Sequence, residues 1–345
     1  GDQHLIQSLV RPLRKAGPLL IPGATLVTFF INTSITSSAG CSAAVGSILI
    51  PIMLASGVHP AIAAASIYAG TYGAIFNPGY AQVALVAEVS KASNMAVASN
   101  HFTAMLVSGL IGAFSLMVVA YLFKENKGYV IPHDRKIPED FKVNPLMAAV
   151  PLVPLILLLL GNFGVVPAFK QLAISHAMII GVICAFAVTR VSPQKISKEF
   201  WHGAGDSFGH VFGIIICALV FVAGLKAVGV IQAMTQMMIT HPEMAKISSA
   251  FGPFILGVMS GSGDAASVAF NRAVTPEAAS FGLSAMDMGS TAAIAGALGR
   301  SMSPIAGGMV ICAGIAGCSP LESAKRNAPG MILACLAVMF LLLYK

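Results

Sequence analysis

The sequence predicts an all-α polytopic membrane protein built from two inverted repeats, each with a re-entrant helical hairpin and a discontinuous transmembrane helix. Three observations lead to this class. Of the 345 residues, 57% are hydrophobic and only 10% are charged, whereas a typical soluble domain carries roughly 25% charged residues. Polar stretches interrupt the apolar sequence twice, and a proline-containing break follows each of them. The two interruptions also occupy corresponding positions along the chain.

The first polar stretch, residues 32–38, lies between two apolar arms. Each arm is shorter than the about 20 residues that a bilayer span needs, so we expect a re-entrant hairpin over residues 16–56. Irregular backbone at membrane depth is tolerated only where it lines a cavity or is buried in protein. The tip of this hairpin is therefore a candidate binding site.

A broken helix over residues 60–90 and a span over residues 102–123 complete the predicted first repeat, residues 1–123. The break is expected at Asn77-Pro78, within a run of small residues. A basic loop follows over residues 124–144, and the positive-inside rule places it in the cytoplasm.

The predicted second repeat covers residues 145–345. Its elements are spans at 145–160, 174–189 and 208–230, a hairpin at 250–275, a broken helix at 278–317 and a last span at 329–343. Pro78 and Pro304 lie 226 residues apart (304 − 78 = 226), and the same offset places Ser38 on Asp264. Paired interrupted segments in two halves are the best sequence indication of a transporter's binding site.

The two hairpins are expected to enter the membrane from opposite faces. The positive-inside rule places the basic loops in the cytoplasm, and counting the spans between these loops puts the first hairpin on the cytoplasmic face and the second on the opposite face. Three spans precede the second hairpin, whereas only 17 residues precede the first. We therefore expect an N-terminally truncated chain.

The chemistry of the interruptions favours an anion or a coupling ion. Helix N-termini at the tips suit carboxylates, and unwound carbonyls suit Na⁺ or a protonatable group. Small and hydroxyl residues alternatively serve close helix packing. The candidate substrate- or ion-binding residues are Asn32, Thr33, Ser34, Thr36, Asn77, Pro78, Ser260, Gly261, Ser262, Gly263, Asp264, Arg300, Ser301, Ser303 and Pro304.

Two of these candidates are charged. Asp264 is the only carboxylate in either tip, and an intramembrane acid is by default a functional residue. It binds a cation, exchanges a proton, or forms a salt bridge with Arg272 or Arg300. Arg300 either pairs bidentately with a substrate carboxylate or extends to the membrane interface.

Other classes of function receive little support. The six cysteines lack the spacing of a metal site or a disulfide framework, and no phosphate-binding loop precedes a Lys-Ser/Thr pair. We expect neither a metal, nor an organic cofactor, nor a nucleic-acid partner, nor an enzyme.

The run from Asn32 to Cys41, the break Phe76-Asn-Pro-Gly79 and the stretch from Ser260 to Ala266 resemble the anaerobic C4-dicarboxylate carriers of the DcuC family, within the ion transporter superfamily. The resemblance implies an elevator-type homodimer with scaffold and transport domains, multi-pass in the bacterial inner membrane. It also implies export or exchange of succinate, fumarate and malate by alternating access.

Relatives that bind dicarboxylates with sodium carry a Ser-Asn-Thr tip in both hairpins. Here the tips read Asn32-Thr33-Ser34 and Ser260-Gly-Ser-Gly-Asp264. The departure favours H⁺ over Na⁺ as the coupling ion, with Asp264 as the coupling residue.

Two further interpretations stay open. The same scaffold can carry another organic anion or an amino acid. A channel or a membrane-embedded enzyme is disfavoured, the latter because Asp264 and Asp287 lie 23 residues apart (287 − 264 = 23) and at different expected depths.

Overall fold

The structure is a computed structural model, and it describes residues 17–130, 144–162, 165–169, 174–207 and 240–345, with isolated positions at 4–6, 8, 172 and between 216 and 237. The span predicted at 208–230 lies almost wholly outside the described residues. So does residue 16, at the start of the first predicted hairpin.

All regular elements of the described ranges are helical, and none of these residues lies in a strand. The predicted all-α class is confirmed. Three described helices are long and apolar enough to cross a membrane: Ser38–Ala55, Phe102–Leu122 and Pro320–Leu343. Helices satisfy every backbone polar group within one segment, which is what an apolar surrounding requires.

The first hairpin consists of α1 (Leu20–Asn32) and α2 (Ser38–Ala55). A 3₁₀ turn, Gly17–Leu19, leads into α1. Ser37 caps α2, because its hydroxyl accepts a hydrogen bond from the Gly40 amide at 3.1 Å. Such an N-cap satisfies an amide that has no intrahelical partner, and it fixes where the second arm begins.

Residues 60–90 form a helix that is interrupted in the middle. Its parts are α3 (Pro60–Ala69), a 3₁₀ turn (Gly73–Phe76) and α4 (Ala81–Ser90). Asn77 is extended (φ −81°, ψ 116°), as expected for a residue that precedes proline.

Helices α5 to α10 follow in chain order. They are α5 (Asn94–Asn100), α6 (Phe102–Leu122), α7 (Pro145–Ala149), α8 (Val153–Asn162), α9 (Ile174–Thr189) and α10 (Pro193–Ser207), with 3₁₀ turns at Val150–Leu152 and Pro167–Phe169.

The second hairpin has arms α11 (Pro242–Ser260) and α12 (Gly263–Ala273), and a 3₁₀ segment, Thr275–Phe281, follows it. The second interrupted helix comprises α13 (Ala285–Ser301) and α14 (Gly307–Ala316). The last helix is α15 (Pro320–Leu343).

Two of these helices begin earlier than the sequence indicates. Helix α11 begins at Pro242 rather than at residue 250, and α15 begins at Pro320 rather than at residue 329. In both cases a proline occupies the first turn, where its missing N–H costs nothing. Pro329 lies inside α15, so it does not mark the start of the helix as we had expected.

Glycines permit the closest crossings between the hairpins and the interrupted helices. A Cβ at Gly73 would lie 1.9 Å from the Phe29 carbonyl oxygen, and a Cβ at Gly299 would lie 2.0 Å from that of Phe254. In each hairpin, the backbone of the first arm (α1 or α11) therefore packs directly against the interrupted helix of the same half.

Apolar side chains also cover much of the outer surface. On α6, Leu110 is 45% exposed and Phe114 44%, and on α15 Leu333 is 53% exposed. Soluble monomers rarely expose large contiguous apolar patches. This surface suits a chain that is surrounded by lipid.

Candidate binding site between the tips and the breaks

Four segments at the ends of neighbouring helices form the candidate site. We name them the first tip (residues 32–38), the first break (residues 70–80), the second tip (residues 260–264) and the second break (residues 301–306). Each segment joins two of the helices described above, so helix packing determines where its polar groups lie.

Asn32 joins the first tip to the first break. Its Nδ2 donates to the Ile35 carbonyl at 2.8 Å, which closes the tip. Its Oδ1 accepts from the Ala74 amide at 2.8 Å, which attaches the tip to the break. The side chain is buried, and both ends of its amide are paired.

Asn77 makes the reciprocal connection. Its Nδ2 donates to the Thr33 carbonyl at 2.9 Å, and its Oδ1 accepts from the Gly79 amide at 2.9 Å. Pro78 contributes its carbonyl, which accepts from Asn94 at 2.8 Å. The first tip and the first break are therefore locked together by neutral amide groups.

The hydroxyls of the first tip differ in their hydrogen bonding. Thr33 donates to the Phe30 carbonyl at 2.7 Å, whereas the buried hydroxyl of Ser34 has no hydrogen-bond partner among the described residues. Thr36 is half-buried. An unpaired buried hydroxyl is costly unless something else binds it, so Ser34 is the strongest hydroxyl candidate in this tip.

Glycine and serine shape the second tip. Gly261 has a φ of +69°, and a Cβ at Gly263 would lie 2.8 Å from Gly296 O and Ala297 Cα. Ser260 donates to the Leu256 carbonyl at 2.6 Å, and Ser262 caps α12 by accepting from the Ala265 amide at 3.2 Å. The tip is tight because only glycine fits against α13.

Asp264 is the last residue of this tip, in the first turn of α12, and its side chain contacts the first half of the chain. The Tyr80 hydroxyl donates to its carboxylate at 2.8 Å, and Gln82 Nε2 lies 3.4 Å from the same oxygen. Within the described ranges it forms no ion pair with Arg272 or Arg300. Arg272 instead binds Glu88 at 2.5 Å. The salt-bridge alternative for Asp264 is thus not found here.

Arg300 crosses in the same direction. Its Nη2 donates to the Thr71 carbonyl at 2.7 Å, and its Cζ lies 5.5 Å from the centre of the Tyr68 ring. The guanidinium is half-buried and points into the first break rather than along its own helix. It is held by a carbonyl and an aromatic face, and both of these groups are neutral.

The remaining candidates lie in the second break. The Ser301 hydroxyl donates to the Ala297 carbonyl at 3.0 Å, an ordinary bond within α13. The buried Ser303 hydroxyl is without a partner in the described part of the chain, and Pro304 is half-buried beside it.

Several residues of this arrangement were missed from the sequence, namely Tyr68, Tyr80, Gln82, His101 and Asn327. Tyr80 and Gln82 follow Pro78 by two and four residues, so polar side chains at the start of the second half-helix were the available signal. The other three had no local signal, because Tyr68 and Asn327 lie inside ordinary helices and His101 lies in the turn between α5 and α6.

A separate cavity of about 550 Å³ touches the first tip at Thr33 and the first break at Pro78. Its lining is mostly apolar and includes Phe30, Phe76 and Phe102. Such a lining does not suit a dianion, so we assign the polar site to the region around Asp264 and Arg300 instead.

The chain matches the family model of the C4-dicarboxylate anaerobic carriers (DcuC) over residues 2–345. It belongs to the DcuC family. The resemblance seen in the sequence is thereby confirmed, and with it the assignment to a family of membrane transporters of C4-dicarboxylates rather than of enzymes.

Two relatives illustrate the similarity. A transporter of Haemophilus influenzae is 41% identical over 280 residues, which cover 78% of this chain and 99% of the relative. The anaerobic C4-dicarboxylate transporter DcuC of Escherichia coli K12 is 26% identical over 337 residues, which cover 93% of this chain and 71% of the relative.

Proposed function

We propose that this DcuC family member is a secondary active carrier that exports or exchanges C4-dicarboxylates such as succinate, fumarate and malate across the bacterial inner membrane. We further propose that it works by alternating access, as an elevator-type homodimer. The observation that carries the proposal is that both tips and both breaks meet. There the charged residues of the second half, Asp264 and Arg300, hydrogen-bond to groups of the first half.

The helix boundaries support two repeated halves. Adding the offset of 226 to Ala81, the start of α4, gives residue 307, and α14 begins at Gly307. Applied to Ser38–Ala55 (α2), the same offset gives residues 264–281, which α12 and the following 3₁₀ segment occupy between Gly263 and Phe281.

The packing of the halves is reciprocal, which supports an internal two-fold relation. The second arm of the first hairpin (α2) packs on the second part of the second interrupted helix (α14). Conversely, α12 packs on α4, and α6 packs on α15. An inverted repeat with its binding site at the repeat interface has this arrangement.

A dicarboxylate would find two kinds of anion-binding group here. Helices α2, α4, α12 and α14 all begin at the site, and helix N-termini attract carboxylates through unpaired amides and the positive end of the helix dipole. Arg300 supplies a full positive charge with a fork of N–H donors that suits a carboxylate. We assign one substrate carboxylate to Arg300 and the other to the N-terminus of α2 at the first tip.

We assign proton coupling to Asp264. Its neighbours Tyr80 and Gln82 are neutral donors, so they stabilise the carboxylate without a permanent counter-charge. A carboxylate in this setting can gain and lose a proton as the site changes its exposure, which is the role expected of an acid within a transporter.

The test is succinate counterflow in proteoliposomes, in which unlabelled external succinate accelerates the efflux of labelled succinate. We expect counterflow by the wild type without added sodium. Asp264→Asn should keep exchange but lose the pH dependence of net flux. Glu88→Gln, which neutralises an exposed carboxylate elsewhere in the chain, is the matched control and should behave as the wild type does.

Three outcomes would contradict the proposal. An absence of succinate counterflow under any condition would overturn the substrate, and uptake without counterflow would indicate a channel. A strict requirement for sodium, with an unchanged pH dependence in Asp264→Asn, would overturn proton coupling.

A further inference from the structure

Each break contains a backbone carbonyl whose usual partner is replaced by proline. A helical carbonyl accepts from the amide four residues later, and a 3₁₀ carbonyl from the amide three residues later. For Ile75 and Ser301 the residue three positions later is Pro78 and Pro304, respectively, and proline has no N–H. In the first break the next amide, that of Gly79, is already bonded to Asn77 Oδ1 at 2.9 Å.

A side chain further along the chain supplies the missing donor in both halves: His101, directly before α6, and Asn327, within α15. His101 Nε2 lies 3.0 Å from the Ile75 carbonyl oxygen, and Asn327 Nδ2 donates to the Ser301 carbonyl at 2.8 Å. His101 is 1% exposed and Asn327 0%. A buried carbonyl without a donor is costly, so these bonds are needed to keep the breaks in this conformation.

The two bonds occupy equivalent positions in the repeat. The offset of 226 takes Ile75 to Ser301, Pro78 to Pro304 and His101 to Asn327. The two prolines alone define this offset. A different side chain thus performs the same task at the same place in each half.

We propose that His101 and Asn327 are paired positioning residues that hold the two breaks in the geometry needed for substrate binding. Each acts through its neighbours in the break: Ile75 lies two residues before Asn77, and Ser301 directly follows Arg300. The inference deepens the proposed function and rests on it for its transport readout.

His101 has a second contact that its counterpart lacks. Since the Ile75 carbonyl can only accept, Nε2 must carry the hydrogen, and Nδ1 lies 3.3 Å from the Ser290 hydroxyl in α13. His101 therefore connects the first break to the second interrupted helix. Asn327 Oδ1 is buried without a partner among the described residues.

The first test separates positioning from general stability by transport kinetics. His101→Leu and Asn327→Leu remove the donor, and each should raise the KM for succinate about tenfold while the folded fraction after purification is retained. His101→Gln places an amide N–H close to where Nε2 lies, and it should restore the wild-type KM. His176→Leu, which changes an exposed histidine on α9, is the matched control and should have no effect.

The second test does not depend on the substrate. Hydrogen exchange is followed in the peptides that cover residues 73–82 and 299–308. His101→Leu should accelerate exchange at least about tenfold in the first peptide only, and Asn327→Leu in the second only, because each bond stabilises one break.

These readouts distinguish the two ways of being wrong. If the wild type shows no succinate counterflow while the variants show the expected hydrogen-exchange pattern, the proposed function fails and the positioning role stands. The positioning role is overturned if His101→Gln raises the KM for succinate as much as His101→Leu does. It is also overturned if the Leu variants leave hydrogen exchange in both breaks unchanged. A lower melting temperature with an unchanged KM would also overturn it.

Discussion

Each half of the molecule has a tip and a break, but the two halves differ in the chemistry of their tips. In the first half, Asn32 and Asn77 join tip and break through neutral amides within the same half. In the second half, Asp264 and Arg300 are charged, and their partners Tyr80 and Thr71 belong to the first half. One half thus provides a neutral frame, and the other provides the charges.

The difference has a physical rationale. A buried charge must be hydrogen-bonded to be tolerated, yet a direct ion pair would neutralise both members. Here each charge is held by neutral groups of the opposite half, so both remain available for a substrate or a proton. If the halves divide these roles, substitutions in them should differ in effect as follows.

Replacing Arg300 should have the largest effect. Arg300→Gln should reduce succinate counterflow roughly 100-fold, equivalent to about 2.7 kcal/mol, because the fork of donors for one carboxylate is lost. Arg272→Gln is the matched control in the same half and should remain active. Unchanged uptake by Arg300→Gln with a shifted substrate profile would instead support another anion or an amino acid as the substrate.

The glycine crossings should be equally sensitive in both halves. In Gly73→Ala and Gly299→Ala the new methyl group meets a carbonyl oxygen at about 2 Å, so each should destabilise the protein by about 2.5 kcal/mol. Thermal unfolding in detergent measures the loss. Gly314→Ala in α14, where a Cβ would meet no atom within 4 Å, is the control. A loss in only one variant would contradict a shared backbone plan.

Removing Asn32 should affect the neutral frame of the first half. Asn32→Ala leaves the Ala74 amide without its acceptor, which typically costs about 1–3 kcal/mol. Thr36→Ala, in the same tip but half-buried, should change the free energy of unfolding by less than about 0.5 kcal/mol. Equal losses in the two variants would show that the tip is held by packing rather than by the Asn32 amide.

The smallest effect is expected for the pair Glu88–Arg272. It also links the two halves but, unlike Asp264–Tyr80 and Arg300–Thr71, it joins two opposite charges. Although its shortest distance is 2.5 Å, the Glu88 side chain is 60% exposed. Exposed ion pairs contribute at most about 1 kcal/mol and are screened by salt. Glu88→Gln should therefore unfold nearly as the wild type does, and any difference should vanish in high salt. A larger loss would mean that this pair also holds the halves together.

The sequence predicted the interruptions better than the contacts across them. Asn32, Asn77, Asp264 and Arg300 were identified because polar residues in apolar surroundings are conspicuous. Tyr80, Gln82, His101 and Asn327 were not, since a single polar residue near a helix start has many ordinary explanations. The early starts of α11 and α15 were missed because a proline inside an apolar run can begin a helix or lie within it.

The helical class, the two hairpin tips and the positions of the two breaks could be predicted from the sequence, because composition, arm length and proline act locally along the chain. Helix packing, in contrast, brings Asp264 to Tyr80 and Arg300 to Thr71, and it places His101 and Asn327 as donors to the Ile75 and Ser301 carbonyls. Those pairings join residues 26 to 229 positions apart in the chain. Such contacts depend on how the helices pack, which no local pattern encodes.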